Sequence, residues 1–128
     1  MKVLVCASVK FRGKIAATMS ALEKLGITPL FPNLDLEVGN TDQALDAAHK
    51  LRLAMEHYEA AEQADAAYFI LPEGYMGTSV KIELGYCLAQ KIPVCFSEST
   101  GDTDIDCYAA AIIPIDKLDQ IKEAYEAL

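Results

Sequence analysis

Short apolar runs alternating with segments of helical spacing constrain this chain more than any other feature. Val3–Ala7 is continuous and Val-rich, the pattern of a strand buried on both faces. Lys14–Leu25 has apolar residues at helical spacing and stops at Gly26. Ile27–Phe31 reads as a second strand ended by Pro32, and Asn33–Asn40 as a polar loop. Thr41 or Asp42 can cap a long helix running to about Ala64, whose apolar side includes Leu51, Leu53, Ala54, Met55 and Tyr58. Ala66–Leu71 is a third strand, Pro72–Gly77 a loop and Thr78–Gln90 a helix. Ile92–Phe96 is a fourth strand, Ser97–Asp106 a solvated acidic loop, and Ala110–Ile113 a fifth strand before a final helix within Ile115–Leu128.

Alternation of this kind predicts a mostly parallel sheet covered by helices through right-handed crossovers. Five strands predict a three-layer α/β, flavodoxin-like or Rossmann-like fold with strand order 2-1-3-4-5. At 128 residues the chain makes one domain, residues 1–128.

Charge bounds the partners. Lys and Arg total 11 against 19 Asp and Glu, for a formal charge of −8. Such a chain is repelled by phosphate backbones and anionic membranes, so neither nucleic acid nor membrane is an expected partner. Val3–Ala7 is too short for a signal-peptide core, and no apolar stretch approaches a membrane span. Cys6, Cys87, Cys95 and Cys107 show no CxxC and no paired metal spacing. The expectation is a cytoplasmic protein with reduced, mostly core cysteines and no metal or cofactor.

In an open parallel sheet, ligands bind beyond the carboxyl ends of the strands, at the switch between strands 1 and 3. The segment LPEGYMGTSVKIELGY lies there. Gly74 and Gly77 permit tight backbone geometry, and Thr78 and Ser79 open a helix whose free N–H groups can hold an anion or a sugar oxygen. Glu83 follows on a helix that is apolar nearly all round, where a carboxylate needs a partner or a job. Ser8 stands at the tip of strand 1, and Lys10, Arg12 and Lys14 form a local basic patch that could meet a 5′-phosphate. His49 and His57, eight apart on the long helix, are too far apart for a two-His zinc pair and read as surface or interface histidines.

Residues Asp65–Val94 resemble the nucleoside 2-deoxyribosyltransferase family, which includes 2′-deoxynucleoside 5′-phosphate N-hydrolase-like and uncharacterised members. The resemblance rests on the Asp opening strand 3, the Gly/Thr/Ser turn, Glu83-Leu84-Gly85-Tyr86, and Lys91-Ile92-Pro93-Val94. Ala7-Ser8 with Phe11 is similar to the family's first loop. The resemblance implies the same α/β fold, with Glu83 as nucleophile and Asp65 handling the base. It implies a substrate pocket drawn from Ser8, Lys10, Phe11, Arg12, Gly74, Tyr75, Gly77, Thr78 and Ser79. The implied activity is cleavage or transfer at the N-glycosidic bond of a 2′-deoxynucleoside or its 5′-monophosphate, through a covalent glycosyl-Glu intermediate. Two departures stand out: Gly77 occupies the place of a further family Asp, and strand 1 lacks the family's Tyr. They favour the alternative, a non-catalytic nucleotide-binding or sensing module. The apolar faces of Leu45–Tyr58 and Val80–Ala89 add the expectation of a homodimer or higher homo-oligomer.

Overall fold

The computed structural model of the protein describes residues 1–31 and 46–128. Strands β1 (Lys2–Cys6), β2 (Thr28–Leu30), β3 (Ala66–Phe69), β4 (Val94–Phe96) and β5 (Ala111–Ile112) form one sheet. Every pairing is parallel and the order is β2-β1-β3-β4-β5, as the alternation predicts. The helices are α1 (Arg12–Lys24), α2 (Ala47–Ala61), α3 (Thr78–Ala89), a short α4 (Thr103–Asp106) and α5 (Ile121–Glu126). The fold is thus a flavodoxin-like, Rossmann-like α/β arrangement. No helix among the described residues is long and apolar enough to cross a membrane.

The period of two along each strand divides the core into two layers. Leu4 and Cys6 of β1 join Phe69 and Phe96 on one face, under Val80, Leu84 and Cys87 of α3 and Ala61 of α2. Val3 and Val5 join Tyr68 and Cys95 on the other face, under Ile15 and Leu22 of α1 and Ile121 of α5. The buried Tyr68 hydroxyl donates to the Ile113 carbonyl at 2.6 Å, which satisfies a polar group that burial would otherwise penalise. Pro29 lies in β2, an edge strand, where a missing ladder N–H is tolerated.

Several expectations shift. Asp46 caps α2, its carboxylate accepting the His49 N–H at 2.7 Å. The expected caps Thr41 and Asp42, and the loop Asn33–Asn40, lie outside the described residues. The acidic segment after β4 is built rather than merely solvated. Asp106 accepts from the Ser99 hydroxyl at 2.5 Å and from the Thr100 N–H and hydroxyl at 2.9 and 2.7 Å. These bonds, the Ser99 one foremost, hold its carboxyl down at about 2. They order a turn that continues into α4. The apolar side expected of the long helix is only partly buried: His57 and Ala61 face the core, while Leu51 and Met55 are exposed.

Candidate active site

Strand polarity decides which residues can meet. Cys6 ends β1, and the chain leaves the sheet there through Ala7, Ser8 and Val9. Phe69 ends β3, and the loop from Ile70 to Gly77 leads into α3 on the same, carboxyl edge. Between these exits and α2 lies a cavity of about 220 Å³. That is room for a small molecule, since one water takes roughly 30 Å³. Ser8, Lys50, Thr78 and Ser79 supply polar groups to its wall, and Phe31, Leu53 and Tyr75 apolar ones.

Glu83 and His57 also line the cavity. Val80, Glu83, Leu84 and Cys87 repeat at three- and four-residue spacing, so the Glu83 side chain shares the buried stripe of α3. His57 and Ala61 make the corresponding stripe on α2. His57 Nε2 lies 3.6 Å from Glu83 Oε1 and 3.4 Å from the Cys6 sulfur, and Glu83 Oε2 is buried with no hydrogen-bond partner among the described residues. Phe31 packs edge-on against the imidazole, with ring centres 5.5 Å apart.

Burial, not mutual attraction, sets the charge of this group. It pushes the Glu83 carboxyl up to about 8, with the Lys50 charge pulling weakly the other way. It pushes the His57 imidazole down to about 4, with Lys50 adding to the effect. A true ion pair would shift both groups in the opposite senses. At neutral pH the pair therefore holds a carboxylic acid beside an uncharged imidazole. Burial likewise keeps the Cys6 thiol protonated.

Of the residues expected at the site, Ser8, Tyr75, Gly77, Thr78, Ser79 and Glu83 line this one cavity. Among the described residues no side chain caps α3, and Gly77, Thr78 and Ser79 at its start line the cavity. Lys10 and Phe11 instead line a neighbouring cleft with Lys14 and Glu73, which shares Tyr75 with the cavity. The Lys10 ammonium sits 3.5 Å from the centre of the Tyr75 ring, and Phe11 meets that ring edge-on. Arg12 opens α1 and is absent from the cavity wall.

Gly74 acts through the backbone. Its φ is +77°, and a Cβ there would come within 2.9 Å of the Ser99 carbonyl oxygen. Gly74→Ala should therefore cost about 2 kcal/mol. Thermal unfolding checks this, with the midpoint lowered and the ordered turn at Ser99–Asp106 loosened.

Asp65 needs a correction. It precedes β3, and a residue before a strand lies at the amino edge of the sheet, opposite the cavity. Its carboxylate accepts the Lys2 backbone N–H at 2.8 Å, joining the starts of β1 and β3. The arrangement does not bring Asp65 to Glu83. His57, Lys50 and Phe31 take places at the site that sequence spacing did not assign. The only hint was that His57 lies on the helix crossing over to strand 3. Tyr86 of the Glu-Leu-Gly-Tyr motif points elsewhere, stacking on Tyr58 at 4.7 Å and tying α3 to α2. Compared with protein-family models and with curated proteins, the chain matches none.

Proposed function

We propose that the cavity binds a 2′-deoxynucleoside or its 5′-monophosphate and cleaves or transfers its N-glycosidic bond through a glycosyl ester on Glu83. The observation that carries this reading is Glu83 itself: a buried carboxyl with one oxygen unpartnered among the described residues, on the wall of a cavity at the ligand edge of the sheet. The neighbours supply complementary roles. The Thr78–Ser79 helix start and Ser8 suit sugar and phosphate oxygens. Phe31, Leu53 and Tyr75 suit the flat face of a base.

The proton on Glu83 has to leave before the carboxylate can attack. His57 Nε2, 3.6 Å away, is the group within reach to relay it. The proton passes to the departing base, whose ring nitrogen also receives the electrons of the breaking C1′–N bond. The freed carboxylate oxygen bonds C1′. Water or a second base then takes the sugar, and the incoming nucleophile's proton returns through His57 to Glu83. Asp65 has no part in this scheme.

The test is base release. The protein, stripped of metal by chelator, is incubated with each 2′-deoxynucleoside and monophosphate, with and without a second free base, and products are followed by chromatography. Free or exchanged base supports the enzyme. Binding without release favours a sensing module, a reading that a cavity with one carboxyl among the described residues also fits.

The homodimer is proposed on the same grounds as before. Leu51, Met55 and Ile82 on α2 and α3 are 63, 49 and 57 % exposed, more apolar surface than two adjacent helices need to leave open. Sedimentation should give twice the chain mass, and Leu51→Glu with Ile82→Lys should halve it. A monomer mass for the unaltered chain removes this proposal.

A further inference from the structure

The glycosyl scheme uses His57 and Glu83 but leaves the adjoining Cys6 thiol without a role. Each residue offers one donor atom, a sulfur, a ring nitrogen and a carboxylate oxygen, and these atoms all lie within 4.8 Å of one another. Each comes from a different element: the end of β1, the core face of α2 and the core face of α3. We propose that these three residues form a binding site for one zinc ion, with the ion's fourth position open to the cavity.

Two of the three donor separations suit the ion, and the third lies within 4.8 Å. Zinc bonds of about 2.3 Å to sulfur and 2.0–2.2 Å to nitrogen or oxygen put tetrahedral donors roughly 3.3–3.6 Å apart. The sulfur and Nε2 are 3.4 Å apart, and Nε2 and Oε1 are 3.6 Å apart. The donor chemistry selects the metal, because a thiolate with an imidazole favours zinc over the harder magnesium and calcium. Charge balances as well. A thiolate and a carboxylate together offset the two positive charges of the ion, so the loaded site is neutral in a buried setting. Glu83 Oε2 has no hydrogen-bond partner among the described residues, so nothing there ties the carboxylate away from the ion. Sequence spacing could not reveal the set, because residues 6, 57 and 83 meet only through the fold.

The proposal shares the pocket with the glycosyl reading and depends on none of its chemistry. Bound zinc would hold the carboxylate that the reaction needs, so the metal-loaded protein should not turn over.

The experiment uses the full chain, treated with chelator and dialysed. Zinc alone is titrated calorimetrically, and cobalt(II) is titrated in parallel by absorption. One equivalent should bind, and cobalt should show a thiolate-to-metal charge-transfer band in the near ultraviolet. Cys6→Ala should weaken zinc roughly 100-fold and remove that band. Cys107→Ala, which alters an exposed thiol, should change neither. If Cys6→Ala fails to fold, Cys6→Val and His57→Gln carry the same comparison. Absent binding, or binding with no thiolate band, overturns the proposal, as does zinc affinity unchanged in every Cys6 and His57 variant. Base release by the metal-free protein is scored separately. A thiolate band without base release rejects the glycosyl reading alone, and base release without the band rejects the zinc site alone.

Discussion

Glu83→Gln should lower base release by roughly 10³-fold or more, the scale on which removing a covalent nucleophile acts. The amide keeps the size and shape of the acid, so nucleotide binding should survive. Retained binding is what separates loss of chemistry from loss of the pocket. His57→Gln should fall short of that effect, because His57 relays a proton and forms no bond to the sugar. Its loss should be partly recovered at a pH where more Glu83 is already ionised. Steady-state rates for the two variants, beside a binding titration, check both statements.

The same substitution should change stability in the opposite direction. Glu83 has its folded value raised to about 8 from an ordinary 4.5. Its contribution is therefore fully present below pH 4.5 and is lost as pH rises through 8. His57 has its folded value lowered to about 4 from 6.5. Its contribution is present above pH 6.5 and is lost as pH falls through 4. Between 4.5 and 6.5 the two slopes cancel, and above 6.5 only the Glu83 loss continues. Metal-free protein should thus lose stability from pH 6.5 to 8. Glu83→Gln removes that loss. Its advantage over the parent should be near zero below pH 4.5 and grow to the order of 5 kcal/mol above pH 8. Denaturant unfolding of both proteins across this range checks it. An advantage that does not vary with pH would mean that Glu83 is not buried as an acid. A residue that costs stability where it stands is what a functional carboxyl in a core is expected to be.

Part of this was legible before the fold was known. The parallel sheet was legible in the alternation, because Val3–Ala7, Ala66–Leu71 and Ile92–Phe96 are short apolar runs separated by helical segments, and the count of five strands pointed to the order observed. Glu83 stood out because a charge on a helix apolar all round needs a reason. The turn at Gly77–Ser79 followed from its place after β3. What could not be read was depth and direction. Asp65 was drawn to the site only by the resemblance, and it precedes its strand while Glu83 follows the same strand, which puts them at opposite edges of the sheet. His57 looked like its neighbour His49, and only the crossing of α2 over β1 turns one of them toward Cys6 and Glu83. Lys10 and Phe11 were placed at the right edge but in the adjoining cleft, because Tyr75 stands between them and the cavity.

The proposed glycosyl ester requires that Glu83 form a bond to a deoxyribose. The measurement that meets it most directly is mass spectrometry of the protein quenched during incubation with a 2′-deoxynucleoside, followed by peptide mapping. A deoxyribosyl adduct is expected on the peptide carrying Glu83, absent from Glu83→Gln and discharged when a free base is added. Base release that proceeds without any adduct, and equally well in Glu83→Gln, would contradict it.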